Sequence, residues 1–381
     1  MSVSVYTGLT WDHPRGYAAL DHLAGVAQAD GSLRLHWDRH SLEGFEASPI
    51  GALAARYDLI VLDHPHVGEA LAEDCLVPLD EIFSADELAA WATQSIGATA
   101  ASYVYGGRAW ALPLDAATQV AVAHPGLPAQ ETPQTWDDVI ALAGRRRVCL
   151  SLAGPHAILS FFSIAAAHGD TPGRSDPARL FTGAGAEQAW AVFSELHALA
   201  DTALAACNPI GILHAMRTQG AADYCPLVYG YVNYALPQGE GTPLRFAEAP
   251  AGPAGRGSTL GGTGVAISRR AQITPELKAH LATLMSLQAQ CRDIPAHAGQ
   301  PSARDAWTDP AVDAAAGGFY RATRETIEAA CVRPRHAGYI AFQTAAAEVV
   351  RTALDARWPA LRLLDTLQSL HERHRPAGAE A

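Results

Sequence analysis

"VYTGLTWDHPRGYAALDHLAGVAQADGSLRLHWDRH", residues 5–40, decides the fold. A strand-like run ends at Thr10-Trp11-Asp12-His13, and Pro14 opens a helical pattern with Tyr17, Leu20, Leu23 and Ala27 on one face. Leu33 to His40 then reads as a second strand. Strand, helix and strand in so short a span predict a βαβ unit, and therefore neighbouring parallel strands. "SPIGALAARY" (48–57) suggests another helix, and "YDLIVLDHPHV" (57–67) is the clearest strand of all. Its centre, Leu59-Ile60-Val61-Leu62, is apolar without alternation, as in a parallel strand covered on both faces.

Outward from this unit the texture changes by thirds. "CLVPLDEIF" (75–83), a helical stretch from Ala85 and a turn at Gly106-Gly107 lead to Pro113, where the chain is expected to leave a first lobe. "TPQTWDDVIALA" predicts a helix capped by Thr135, with Asp138 as its N3 acid. Helical periodicity dominates 155–169 and 185–200. "AADYCPLVYGYVNYALPQG" (221–239) reads as a strand, with Tyr229, Tyr231 and Asn233 on one face and Tyr224 and Tyr234 on the other. "APAGPAGRGSTLGGTGVAIS" (249–268) is a Gly/Pro-rich crossover followed by a strand, and the last hundred residues are mostly helical.

The chain has 381 residues, enough for two lobes of roughly 150–200 residues each. Hydrophobic residues make up 49% and charged residues 17%, which suits packed cores. The formal net charge is −12 and the only basic block is Arg145-Arg146-Arg147, so nucleic acid is excluded as a main partner. Lys278 is the single lysine and follows no glycine-rich loop, which excludes a P-loop. Six cysteines form no Cys-x-x-Cys pair and no zinc spacing. Their even number permits disulfides, but the spacing does not pair them; most read as small buried hydrophobes. No run of about 18 apolar residues appears. No signal-peptide pattern opens the chain as written, so either an export signal was removed or the protein works in the cytoplasm.

Four segments together resemble the family 1 extracellular solute-binding proteins, the carbohydrate receptors of ABC importers. They are "YDLIVLDHPHVGEALAEDCLVPLDE", "YVYGGRAWALPLDAATQVAVAH" with the later "PQTWDDVIALA", "GGTGVAISRRA", and "GQPSARDAW" with "RPRHAGYIAFQTAAAEVV". The resemblance runs from about residue 1 to 370. It implies a two-lobed α/β fold of the type II periplasmic-binding-protein class, with parallel-type sheets flanked by helices and a hinge between lobes. The expected division is 1–112 plus about 260–310 for one lobe, and 113–259 plus about 311–381 for the other. It further implies a monomer that captures a sugar, sugar acid or polyol by lobe closure, with no catalytic residues, no cofactor and no metal. It also implies a periplasmic location and an ABC importer permease as partner. A cytoplasmic enzyme or sensor on the same scaffold is the alternative, with Asp12 and His13, or Asp63 and His64, as acid–base pairs.

In open parallel sheets, ligands sit beyond the carboxyl ends of the strands. That rule nominates Trp11, Asp12, His13, His40, Asp63, His64 and His66 as one wall. Trp11 could stack on a ligand or pack the core, and Asp12 could bind hydroxyls or simply cap the helix at Pro14. His13 and Arg15 stand at a helix N-terminus, where anions are favoured. A metal at His64-Pro65-His66, with His36 or His40, is a sharper alternative. Asp115 and Gln119 flank the first crossover, where the resembled family places polar groups on its solute. Tyr229, Tyr231 and Asn233 are expected on the cleft side. Gly261, Gly262, Thr263 and Gly264 could let backbone amides approach a ligand, although the run lacks the dinucleotide-binding pattern.

Overall fold

The computed structural model describes residues 4–376. The opening segment folds as predicted: β1 (Val5–Trp11), α1 (Pro14–Ala29) and β2 (Arg34–His40), with β1 parallel to β2 and also to β3 (Leu59–Leu62). Pro14 occupies the first helical turn, where its missing N–H costs nothing. Leu20, Leu23 and Ala27 of α1 pack with Leu35 and Val61 in one core.

Beyond β3 the sheet is not parallel. β4 (Leu112–Ala123), β5 (Tyr224–Tyr229), β6 (Arg245–Ala247) and β7 (Leu260–Ile267) complete a sheet of order β2-β1-β3-β7-β4-β5, with β6 also on β4. Each of these added pairings is antiparallel. β4 is buried along its whole length. Its first half pairs with β7, through Leu260↔Thr118, and its second half with β5 and β6. One strand therefore belongs to both halves of the molecule. The residues flanking this change of partner are tied by hydroxyls. Thr118 Oγ1 lies 2.5 Å from Ser258 Oγ, which donates to Gln119 O at 2.6 Å. Gln119 Oε1 accepts from Ser163 Oγ at 2.6 Å and from Thr259 Oγ1 at 2.9 Å.

On the far side of this knot the helix-rich core gathers Phe161, Phe162, Trp190, Phe193 and Phe342. Thr135 and Asp138 form the predicted capping box. All six cysteines are free thiols, with Cys149 and Cys225 buried. Two local expectations are corrected. His13, not Asp12, caps α1: its Nδ1 accepts from Arg15 N at 3.1 Å, and Asp12 is exposed. The tyrosine-rich strand stops at Tyr229; Gly230 breaks it, and Val232–Tyr234 is a short 3₁₀ turn containing Asn233. A Cβ at position 230 would stand 2.9 Å from the Phe319 ring, so glycine admits the close approach that ends the strand.

Candidate functional site

A cavity lies between the carboxyl ends of β1 and β3 and the elements that follow β4. α1 contributes Arg15, and β1 delivers Trp11 to its wall. The turn after β3 delivers Asp63, and β7 delivers Gly261, Gly262 and Thr263. α2 (Leu42–Ala47), capped by Ser41, presents Leu42, Phe45 and Glu46 at helical spacing. From the other side come His156, at the start of α3 (His156–Ala167), Pro209, at the start of α4 (Pro209–Gln219), and Tyr229 and Tyr231. The space open to water centres is about 50 Å³, room for a few waters.

Two buried ion pairs frame the cavity. Arg15 grips Asp115 with both arms, Nε to Oδ2 at 2.9 Å and Nη2 to Oδ1 at 2.5 Å, and its Nη1 donates to Gly230 O at 2.9 Å. Its guanidinium also lies 4.7 Å from the Tyr231 ring centre. Burial works against its charge, yet Asp115 holds the guanidinium above its ordinary pKa. Arg333 holds Asp63 in the second pair. Burial opposes the Asp63 charge, but Arg333 and His64 keep its carboxyl well below the usual carboxylate range. The His64 pKa falls to about 4 through burial, with Arg333 adding repulsion.

Polar atoms left open on this wall are few. Thr263 Oγ1 is buried without a hydrogen-bond partner. Both ring nitrogens of His156 are equally unpartnered, although Nε2 stands 3.4 Å from Glu46 Oε1. Gly262 has φ +91°, and a Cβ there would meet Asp115 O at 2.4 Å. Only glycine fits this close passage of β7 against β4. The two walls also touch at the rim, where Asn208 Nδ2 donates to Glu43 Oε1 at 3.0 Å.

Of the residues nominated by sequence, Trp11, Arg15, Asp63, Tyr229, Tyr231, Gly262 and Thr263 meet here. The others take different places. Asp12 faces solvent, 4.0 Å from Arg39. The His13 ring packs edge-on against Tyr231 at 4.8 Å, and burial, then Arg15, lowers its pKa to about 3. His40 sits edge-on to Phe45, behind the wall. His64 accepts from Arg333 N at 3.3 Å, and buried His66 stands 3.8 Å from Glu69. Asp115 is consumed by Arg15, and Gln119 by the hydroxyl knot. Asn233 lies in the turn beyond β5, where its carbonyl accepts from Arg217. No three His, Cys, Asp or Glu side chains among the described residues are placed to share a metal.

Phe45, Glu46, His156 and Arg333 were not foreseen. Phe45 and Glu46 had a legible signal, the spacing Leu42, Phe45, Glu46 just past a strand's carboxyl end. His156 and Arg333 lie in segments whose sequences carry only helical or loop patterns.

No family model matches the chain, and no curated protein sequence matches it. Solved structures do. A solute-binding protein from Agrobacterium radiobacter K84 in complex with ribitol is 19% identical, with TM-score 0.77 over 97% of this chain and 98% of the other. The maltose-bound MalE3 of T. maritima is 17% identical, with TM-score 0.78 over 97% and 100%. A solute-binding protein from Thermotoga lettingae TMO with bound alpha-D-tagatose is 16% identical, with TM-score 0.78 over 97% and 98%. The whole described chain therefore has the two-lobed α/β architecture of such binding proteins.

Proposed function

We propose that this chain is a receptor that captures a small polyhydroxylated molecule, a sugar or polyol, by closing two lobes around it. The observation that supports this most is the cavity itself. Its walls come from both sides of the strand β4, it is lined by the rings of Trp11, Phe45, Tyr229 and Tyr231, and it keeps Thr263 and His156 without hydrogen-bond partners. Rings cover the C–H face of a polyol, and open donors and acceptors take its hydroxyls. The ligands of the structural neighbours, ribitol, tagatose and maltose, favour the same class.

In this reading the lobes divide near residues 112, 260 and 310, and the crossing of β4 and β7 is the hinge. Binding energy shifts an open–closed equilibrium and no bond is made or broken. The protein works as a monomer outside the cytoplasmic membrane and hands its ligand to an ABC-type importer. Titration calorimetry against ribitol, mannitol, tagatose and maltose, with small-angle scattering of the same samples, tests the proposal. The expected result is saturable binding of at least one of them, with a smaller radius of gyration when bound. A folded protein that binds none of these and shows no compaction would count decisively against it.

A further inference from the structure

Resting on the reading above, we infer that the site selects a ligand that carries an amine and rejects acidic ones, because Glu46 is the one carboxylate of the cavity wall without an arginine or lysine partner among the described residues. Four charged side chains stand at or just behind the wall as two closed pairs. Arg15 and Asp115 are joined by two bonds and both are about 4% exposed in their side chains. Arg333 and Asp63 are joined by a single bond from Nη2 to Oδ2 across the turn after β3, and Asp63 also accepts from His64 N at 2.9 Å. The remaining bond of Arg15 goes to a backbone carbonyl. The wall therefore offers no unmatched cation to a carboxylate or phosphate ligand.

Glu46 is different. Its only ion-pair neighbour among the described residues is the ring of His156, 3.4 Å away and outside hydrogen-bond geometry. His156 is only 2% exposed, and its two nitrogens wait for partners. An ammonium group entering between Glu46 and His156 would pair with the first and donate to the second. The rings of Phe45 and Tyr229 line the same cavity, and Tyr229 meets the His156 ring edge-on at 5.7 Å. A carboxylate in the same place would face Glu46 with no counter-charge. An amino polyol or amino sugar is thus the class that supplies the positive charge Glu46 lacks.

Three probes of one size isolate the charge: sorbitol, 1-amino-1-deoxysorbitol and gluconate, titrated into the full chain at neutral pH. The amine is expected to bind at least tenfold more tightly than sorbitol, and gluconate not measurably. Glu46→Gln is expected to remove the amine's advantage over sorbitol when both are titrated into the same variant. In the unaltered protein, added salt should weaken the amine and leave sorbitol unaffected, so the inference is tested even if the variant misfolds. Gluconate binding as well as the amine would overturn it, as would an unchanged amine preference in Glu46→Gln. Sorbitol binding with the amine no better sinks this inference alone. Silence from all three sinks this inference, and the sugar-capture reading falls with it only when ribitol, mannitol, tagatose and maltose also fail to bind.

Discussion

At the scale of single residues, the site is governed by which charges are already spent. Arg15 looks, in sequence, like an anion anchor at a helix N-terminus. In the fold it is a strut, closed onto Asp115 and Gly230 from the opposite side of the cavity. Removing one member of such a buried pair strands the other, which typically costs about 3–5 kcal/mol. Asp115→Ala should therefore lower unfolding stability by about that much, read from urea midpoints at constant slope. Arg15→Met with Asp115→Leu should recover most of the loss, because no charge is then left alone. Recovery no greater than either single variant would show that the pair is not the cause.

At the scale of elements, closure depends on two short segments meeting at the rim, α2 and the start of α4. Their direct tie is Asn208 to Glu43, exposed and hence worth about 0.2–1 kcal/mol. Glu43→Ala should weaken ligand binding no more than about fivefold, mostly through faster release, because the bond joins the two walls of the cavity. Surface plasmon resonance separates the two rates, and an effect confined to the on-rate would contradict this. The elements around the rim were legible to different depths. β1, α1, β2 and β3 follow directly from apolar period and capping, and the Thr135 box from its side-chain spacing. The tyrosine stretch was not legible in full, because its alternation continues through Tyr231 and Asn233 while Gly230 breaks the strand for a packing reason, the Phe319 ring. The Asp12 cap failed because two adjacent residues could serve, and chain direction chose His13. Glu46 and His156 come together across the cavity from positions more than a hundred residues apart, and nothing local in either segment announces that.

For the whole molecule, the histidines set a pH limit. His64, His280 and His336 each have pKa values lowered to about 4, and His13 to about 3, in every case chiefly by burial. The unfolded chain protonates them near 6.5, so between that value and about 4 it binds more protons than the folded one. Stability is therefore full above about pH 6.5 and declines as pH falls toward 4. Denaturant midpoints at pH 7.5, 6 and 5 should drop in that order, and a flat profile would refute the assignment. The order of strands has a different consequence, in time. β7 lies between β3 and β4 in the sheet, yet it is made about two hundred residues after β3. A ribosome adding about 5–20 residues per second leaves the β3 edge, Leu59-Ile60-Val61-Leu62, without its neighbour for about 10–40 s. Each newborn chain thus carries an open, wholly apolar strand edge through about half of its synthesis, and holding factors at the ribosome have a defined window in which to cover it.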